Sequence, residues 1–195
     1  MLTRAFFVLL LIGTPSALTL KIGMQRRALG RSPVVLGVAG DSGWSRWFER
    51  ASPLGLLIWP AIWLWVAVGA APANASGLAH GLGMVIMAAG ACLSGASIFL
   101  MGRAWRIGID PENRTELAEN GPYRWVRHPI YTGFLLMVIG NVLVVPHLAV
   151  DVAALFTVVG VAYQAHREER HLLSTFGERY ARYAARTGRF APRLW

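Results

Sequence analysis

Residues 121–134 read GPYRWVRHPIYTGF, and residues 168–183 read EERHLLSTFGERYARY. Between them lie two apolar runs, about 130–145 and 147–163, separated only by Pro146 and its neighbours. The first motif sets cationic and aromatic side chains at the mouth of an apolar segment. The second sets paired carboxylates just past the end of the next one. A helical hairpin brings the chain back to the face it left, so both clusters land on one surface. The fold follows from that reading: apolar helices in a membrane, with a polar cluster where they emerge.

Composition agrees. The chain has 195 residues, 55% of them hydrophobic and only 15% charged, against about a quarter charged in an average soluble domain. Mean hydropathy is +0.45, and the charge deficit is concentrated in long apolar runs, which is the pattern of an integral membrane protein. The formal charge of +9 would raise nucleic-acid binding in a soluble chain. Its placement argues otherwise. Of 19 Lys and Arg, Arg4 precedes the first run, six lie between the first and second, five between the third and fourth, and seven after the fifth. The other two connections carry none, and that alternation is what the positive-inside rule produces. The basic face also suits anionic headgroups. Arg far outnumbers Lys, which is the usage of a GC-rich, bacterial genome. One cysteine, Cys92, excludes an intrachain disulfide and reads as a packed thiol.

The expected architecture is all-α and polytopic, with about five membrane helices. Residues 1–101 would form three spans, about 5–20, 54–71 and 78–101, with a basic interfacial segment at 21–52. Residues 102–195 would form a second region, a helical hairpin followed by a cytoplasmic tail that carries the cofactor site. The first run can be read as a signal peptide, but no clean cleavage site follows it, and a retained helix is the favoured reading. Small residues such as Gly90, Gly95 and Ala96 in the third run suit close helix approach. No repeat is visible, and no Gly-rich phosphate motif of a soluble nucleotide-binding fold.

Tyr123, Arg124, Trp125, Arg127, His128 and Tyr131 surround the start of the fourth apolar helix. Pro129 suits its first turn, where a missing N–H costs nothing, and the helix start offers N–H groups to an anion. Glu168 and Glu169 offer acceptors. Such groups at a membrane-helix start are equally ordinary snorkelling anchors, and residues 167–170 alone equally describe a solvated helix surface. The physics of either cluster alone leaves both readings open.

Taken together, the two clusters resemble the isoprenylcysteine carboxyl methyltransferase and phospholipid methyltransferase superfamily of integral-membrane enzymes. The resemblance covers about residues 102–195. It implies that Arg127, His128, Pro129 and Tyr131 form an RHPxY cofactor motif, with Gly121, Pro122 and Tyr123 leading into it. It implies also that Glu168 and Glu169 are the paired acids of the C-terminal motif, and that Arg189 and Pro192 belong to a closing R-x-x-P. The cofactor is then S-adenosylmethionine, leaving as S-adenosylhomocysteine, with no metal. The acceptor is a membrane-embedded, lipid-like molecule, with carboxyl O-methylation favoured. A carboxylate acceptor needs a cation to orient it, for which Arg103, Arg106 and Arg124 are candidates. An amine acceptor needs a base, for which Glu169 or His128 would serve. Arg106, Arg124 and Glu169 are thus the expected catalytic set. The expected location is a bacterial inner membrane with the site facing the cytoplasm. The alternatives are an NADPH-dependent membrane reductase of sterol-reductase type and a non-enzymatic membrane subunit. Asp151, His80 and His147 fall toward the opposite face and receive no chemical role.

Overall fold

The computed structural model describes residues 2–30, 57–69, 77–102, 105 and 117–193. Among these residues six α-helices follow in order: α1 Leu2–Leu29, α2 Leu57–Ala67, α3 Gly77–Leu100, α4 Pro129–Val144, α5 Leu148–Phe176 and α6 Glu178–Arg186. A 3-10 turn at Gly121–Arg124 precedes α4. Among the described residues there is no strand, only an isolated bridge between Val126 and Gly188.

Among the described residues three helices, α1, α3 and α5, are long and apolar enough to cross a membrane, where the sequence anticipates about five spans. α2 and α4 are shorter apolar helices. The 16 residues of α4 extend about 24 Å at 1.5 Å per residue, less than a hydrocarbon core of about 30 Å. α5 is the reverse case. It runs 29 residues without a break, so its charged final turns are the same helix as its apolar part.

α3 and α4 form the tightest contact. A β-carbon added at Gly90 would stand less than 3.0 Å from the Gly133 carbonyl, and one at Gly133 equally close to that of Gly90. Gly83 and Gly140 repeat the arrangement one heptad away. With no side chain at four positions, the two backbones approach directly, and the Ser94 hydroxyl donates to the Ile130 carbonyl at 2.9 Å. Gly95, by contrast, faces open space.

α2 is pinned by its tryptophans. The indole N–H of Trp59 donates to Thr157 Oγ1 at 3.1 Å, and that of Trp63 to Asn141 Oδ1 at 3.2 Å. Trp59, Trp63, Met87, Met137, Val138 and Val144 belong to the core they cover, with Phe7 of α1.

α1 continues through Pro15 and past its apolar run to Leu29. Lys21 and Gln25 are therefore helical and buried. Lys21 Nζ donates to the Gly102 carbonyl at 3.2 Å, and Gln25 Nε2 to the carbonyls of Gly102 at 2.8 Å and Trp105 at 2.9 Å. Those acceptors lie just beyond the end of α3, where carbonyls lack helical partners and a cation is favoured. The rest of the anticipated interfacial segment, residues 31–52, lies outside the described residues.

Candidate functional site at the end of the bundle

The connection between α4 and α5 is only residues 145–147, so the two helices run antiparallel and the start of α4 lies beside the far end of α5. That hairpin brings the two sequence motifs together. The Tyr131 hydroxyl donates to Glu168 Oε1. His128 places Nδ1 3.6 Å from Glu168 Oε2 and Nε2 3.4 Å from Glu169 Oε1. Arg127 Nε donates to Glu169 Oε1 at 2.9 Å. His128, Tyr131, Glu168 and Glu169 share one location, as the spacing of the motifs requires.

The local chain geometry explains how. Gly121 adopts φ +60, which an L side chain rarely tolerates, and turns the chain into the 3-10 element. Pro129 starts α4 and is fully buried. His128 sits just before it, 6% exposed, with its ring stacked on Tyr131 at 5.5 Å between centroids. Its Nε2 is buried with the Glu169 carboxylate 3.4 Å away, at a geometry short of a hydrogen bond among the described residues.

Gly177, at φ +53, separates α5 from α6 and lets the chain double back. α6 then lays Tyr180 and Tyr183 inward, with Leu117 and Phe176 around them. The Tyr183 hydroxyl donates to the Tyr123 carbonyl at 2.7 Å. Burial pushes the Tyr183 phenol up to about 12, and burial likewise pushes Tyr123 and Tyr180 up. All three phenols therefore keep their protons at neutral pH.

After α6 the chain returns as an extended arm, residues 187–190, alongside residues 125–128. Gly188 N donates to the Trp125 carbonyl at 3.2 Å, Arg127 N to the Gly188 carbonyl at 2.8 Å, and His128 N to the Arg189 carbonyl at 3.1 Å. A β-carbon at Gly188 would collide with the Ala191 carbonyl. Arg189 Nε donates to Glu169 Oε1 at 3.1 Å, and its Nη2 pairs with Glu169 Oε2. The Glu169 hydrogen bond pushes the Arg189 pKa further up, so this guanidinium stays charged.

Not every expected residue arrives. Arg124 is exposed and stacks over Trp125 at 4.7 Å. Tyr123 is buried with its hydroxyl toward the Ser97 carbonyl, 3.4 Å away, so it anchors the turn to α3. Arg103 and Arg106 lie outside the described residues. Three contributors were not anticipated. Gln164 Nε2 donates to Glu168 Oε1 at 3.2 Å. The Thr132 hydroxyl lies 2.9 Å from the Phe190 carbonyl. The Phe190 ring stands 6.0 Å from that of His128. Gln164 had a visible signal, since it lies one helical turn before Glu168 at the end of an apolar run.

Fold and site together define an integral membrane helix bundle with an acid, histidine and arginine cluster at one end. A family model described as phospholipid methyltransferase matches residues 78–179. The chain belongs to that family. It is 33% identical over 117 residues to protein-S-isoprenylcysteine O-methyltransferase B of Arabidopsis thaliana, covering 57% of each chain. It is 38% identical over 103 residues to the cobalt-zinc-cadmium resistance protein CzcN of Cupriavidus metallidurans, covering 51% of this chain and 47% of that one. The chain thus spans about half the length of these curated relatives. Among solved structures, the eukaryotic intramembrane Ras methyltransferase, isoprenylcysteine carboxyl methyltransferase, shares the fold. The TM-score is 0.55 at 21% identity, over 80% of this chain and 55% of that one.

Proposed function

We infer that the protein is an S-adenosylmethionine-dependent methyltransferase acting on a membrane-embedded, lipid-like acceptor, an isoprenoid or a phospholipid. Carboxyl O-methylation is the favoured reaction. The observation that carries this reading is the meeting of His128, Tyr131 and Glu168 at one place, in a chain of the phospholipid methyltransferase family. The sequence relatives named as isoprenylcysteine O-methyltransferases support the same choice.

The residues fit the proposed cofactor. His128 is a buried ring whose Nε2 has the Glu169 carboxylate at 3.4 Å and makes no well-formed hydrogen bond among the described residues. Glu168 is an acid with an oxygen left for an ammonium or a ribose diol. Tyr131 and Phe190 bring aromatic surface to the same place, suited to an adenine. Bound S-adenosylmethionine supplies a methyl group on a sulfonium, activated for displacement.

What the chain itself must then do is orient and exclude water, since displacement needs alignment more than acid–base power. Arg127 and Arg189 hold the walls in place through Glu169. For a carboxylate acceptor Arg106 is the candidate orienting cation. Arg124, stacked on Trp125, is the less suited of the two. For an amine acceptor His128 is the better-placed proton acceptor, because both Glu169 oxygens already receive guanidinium hydrogen bonds. The site would face the cytoplasm of a bacterial inner membrane.

The test is calorimetric titration of S-adenosylhomocysteine into detergent-purified protein. Binding is expected, and His128→Ala should weaken it about tenfold or more, the cost of one buried polar contact. A folded sample that binds no S-adenosylhomocysteine but does bind NADPH would replace this function with the reductase reading.

A further inference from the structure

Glu168 and Glu169 are neighbours in sequence, yet they are held in different ways. Glu169 is held by guanidinium groups, Arg127 Nε at 2.9 Å and Arg189 Nε at 3.1 Å on Oε1, with Arg189 Nη2 on Oε2, and His128 Nε2 stands 3.4 Å from Oε1. Both cations lead to the C-terminal arm. Arg189 is part of it, and Arg127 Nη1 also donates to the carbonyls of Ala184, at 2.9 Å, and Thr187. Glu168 instead receives neutral donors, Tyr131 and Gln164, both on Oε1. Its Oε2 has His128 Nδ1 at 3.6 Å, beyond hydrogen-bond reach. The Glu169 side chain is 12% exposed and that of Glu168 28%.

An acid whose two oxygens are engaged by two guanidiniums has little left for a ligand cation. Its neighbour, with a more accessible oxygen lacking such a bond, does. This inference builds on the reading of the site as one for S-adenosylmethionine. We propose that the paired acids divide the work: Glu168 takes the ligand's ammonium or ribose diol, while Glu169 is a positioning residue that latches residues 187–190 against the start of α4.

The latch matters to the ligand because of what the arm carries. Phe190 follows directly on Arg189, its carbonyl is held by Thr132, and its ring stands beside His128. Glu169 therefore acts on binding through Arg189 and Phe190. Its loss should open the arm and withdraw that ring, with the ligand's own acid still in place.

Two measurements on the full-length, detergent-purified chain decide this. In the first, S-adenosylhomocysteine is titrated into Glu168→Gln, Glu169→Gln, Arg189→Ala and the pairwise combinations. Glu169→Gln and Arg189→Ala should each weaken binding about tenfold and the double variant no further, because residues acting through one contact are not additive. Glu168→Gln combined with Glu169→Gln should multiply, and Arg189→Lys should recover part of the loss. In the second, limited trypsin cleavage after Arg186 is timed. It should quicken in Glu169→Gln and Arg189→Ala and stay at the wild-type rate in Glu168→Gln. Weakened binding in Glu169→Gln with an arm as protected as in wild type would overturn the proposal, as would multiplying losses for Glu169→Gln and Arg189→Ala. Should the wild-type chain bind no S-adenosylhomocysteine, the reading of the site falls. The trypsin result still decides the latch in that case, and cleavage unchanged by Glu169→Gln would remove it.

Discussion

Arg124 and Arg127 stand three residues apart at the same helix start, and their surroundings separate them sharply. Arg127 is 14% exposed and paired with an acid that is 12% exposed. Arg127→Ala leaves a largely buried carboxylate to Arg189 alone and takes a charged donor from the Ala184 and Thr187 carbonyls, so it should cost about 2–3 kcal/mol. Arg124 is exposed against an exposed Trp125, and Arg124→Ala should cost no more than about 1 kcal/mol, the value of a surface cation–π contact. Thermal or denaturant melts in one detergent compare the two, and equal losses would contradict the burial argument. Tyr183 gives a pH dependence. Its phenol rises from 10.0 to about 12 because burial disfavours the phenolate. The folded state then holds its proton more tightly than the unfolded state. The stabilisation is complete below pH 10 and drains away as pH climbs toward 12. Denaturant melts in detergent should show stability falling over that window, and Tyr183→Phe should flatten the response. A wild-type profile no steeper than that of Tyr183→Phe would show that the buried phenol does not contribute.

At the scale of elements, the α3/α4 contact is the least forgiving. Gly133→Ala places a β-carbon against the Gly90 backbone carbonyl and Ser94, and backbone atoms cannot swing aside as a flexible side chain can. A loss of about 1–3 kcal/mol or more is expected, as for other overpacked interiors. Gly95→Ala on α3 meets nothing within 4 Å, and should be neutral or stabilising by up to about 1 kcal/mol. Melting both variants against wild type checks the pair, and Gly133→Ala melting like Gly95→Ala would mean that the helices are not in backbone contact. The same elements show what a sequence can reveal. The hairpin was legible because Pro146 leaves no room for a longer connection between two apolar runs. The α4 start was legible because RHP puts Pro129 in a first turn. Small residues in the third run announced close packing, though not that Gly83 and Gly90 pair with Gly140 and Gly133. The reach of α1 to Leu29 was hidden, since Lys21 and Gln25 look like a loop's opening until Gly102 and Trp105 supply carbonyls for them. The unequal fates of Glu168 and Glu169 were hidden too. Adjacent helical positions face different neighbours, and which of them meets Arg189 depends on an arm that folds back across the molecule.

The whole molecule has two distinct ends. The Thr3 hydroxyl lies 2.7 Å from His80 Nε2, so α1 and α3 begin together, and Lys21 and Gln25 reach Gly102, so they also finish together. The α4–α5 turn is at the first end, where the His147 ring meets Trp65 at 5.1 Å. The starts of α4 and α6, the acids of α5 and the arm are all at the second. The amino terminus and the C-terminal arm therefore belong to opposite ends of the bundle. Basic residues cluster at the second end: Arg26 and Arg27 close α1, and Arg179, Arg182 and Arg186 stud α6. By the positive-inside rule, the proposed orientation puts this end in the cytoplasm. A protease-cleavable tag on the amino terminus should accordingly be cut from outside in intact spheroplasts, and one on the carboxyl terminus only after lysis. The two tags responding alike would break the end-to-end arrangement. A reversed pattern would keep the arrangement but turn the site outward, away from the cytoplasmic supply of S-adenosylmethionine that the proposed reaction requires.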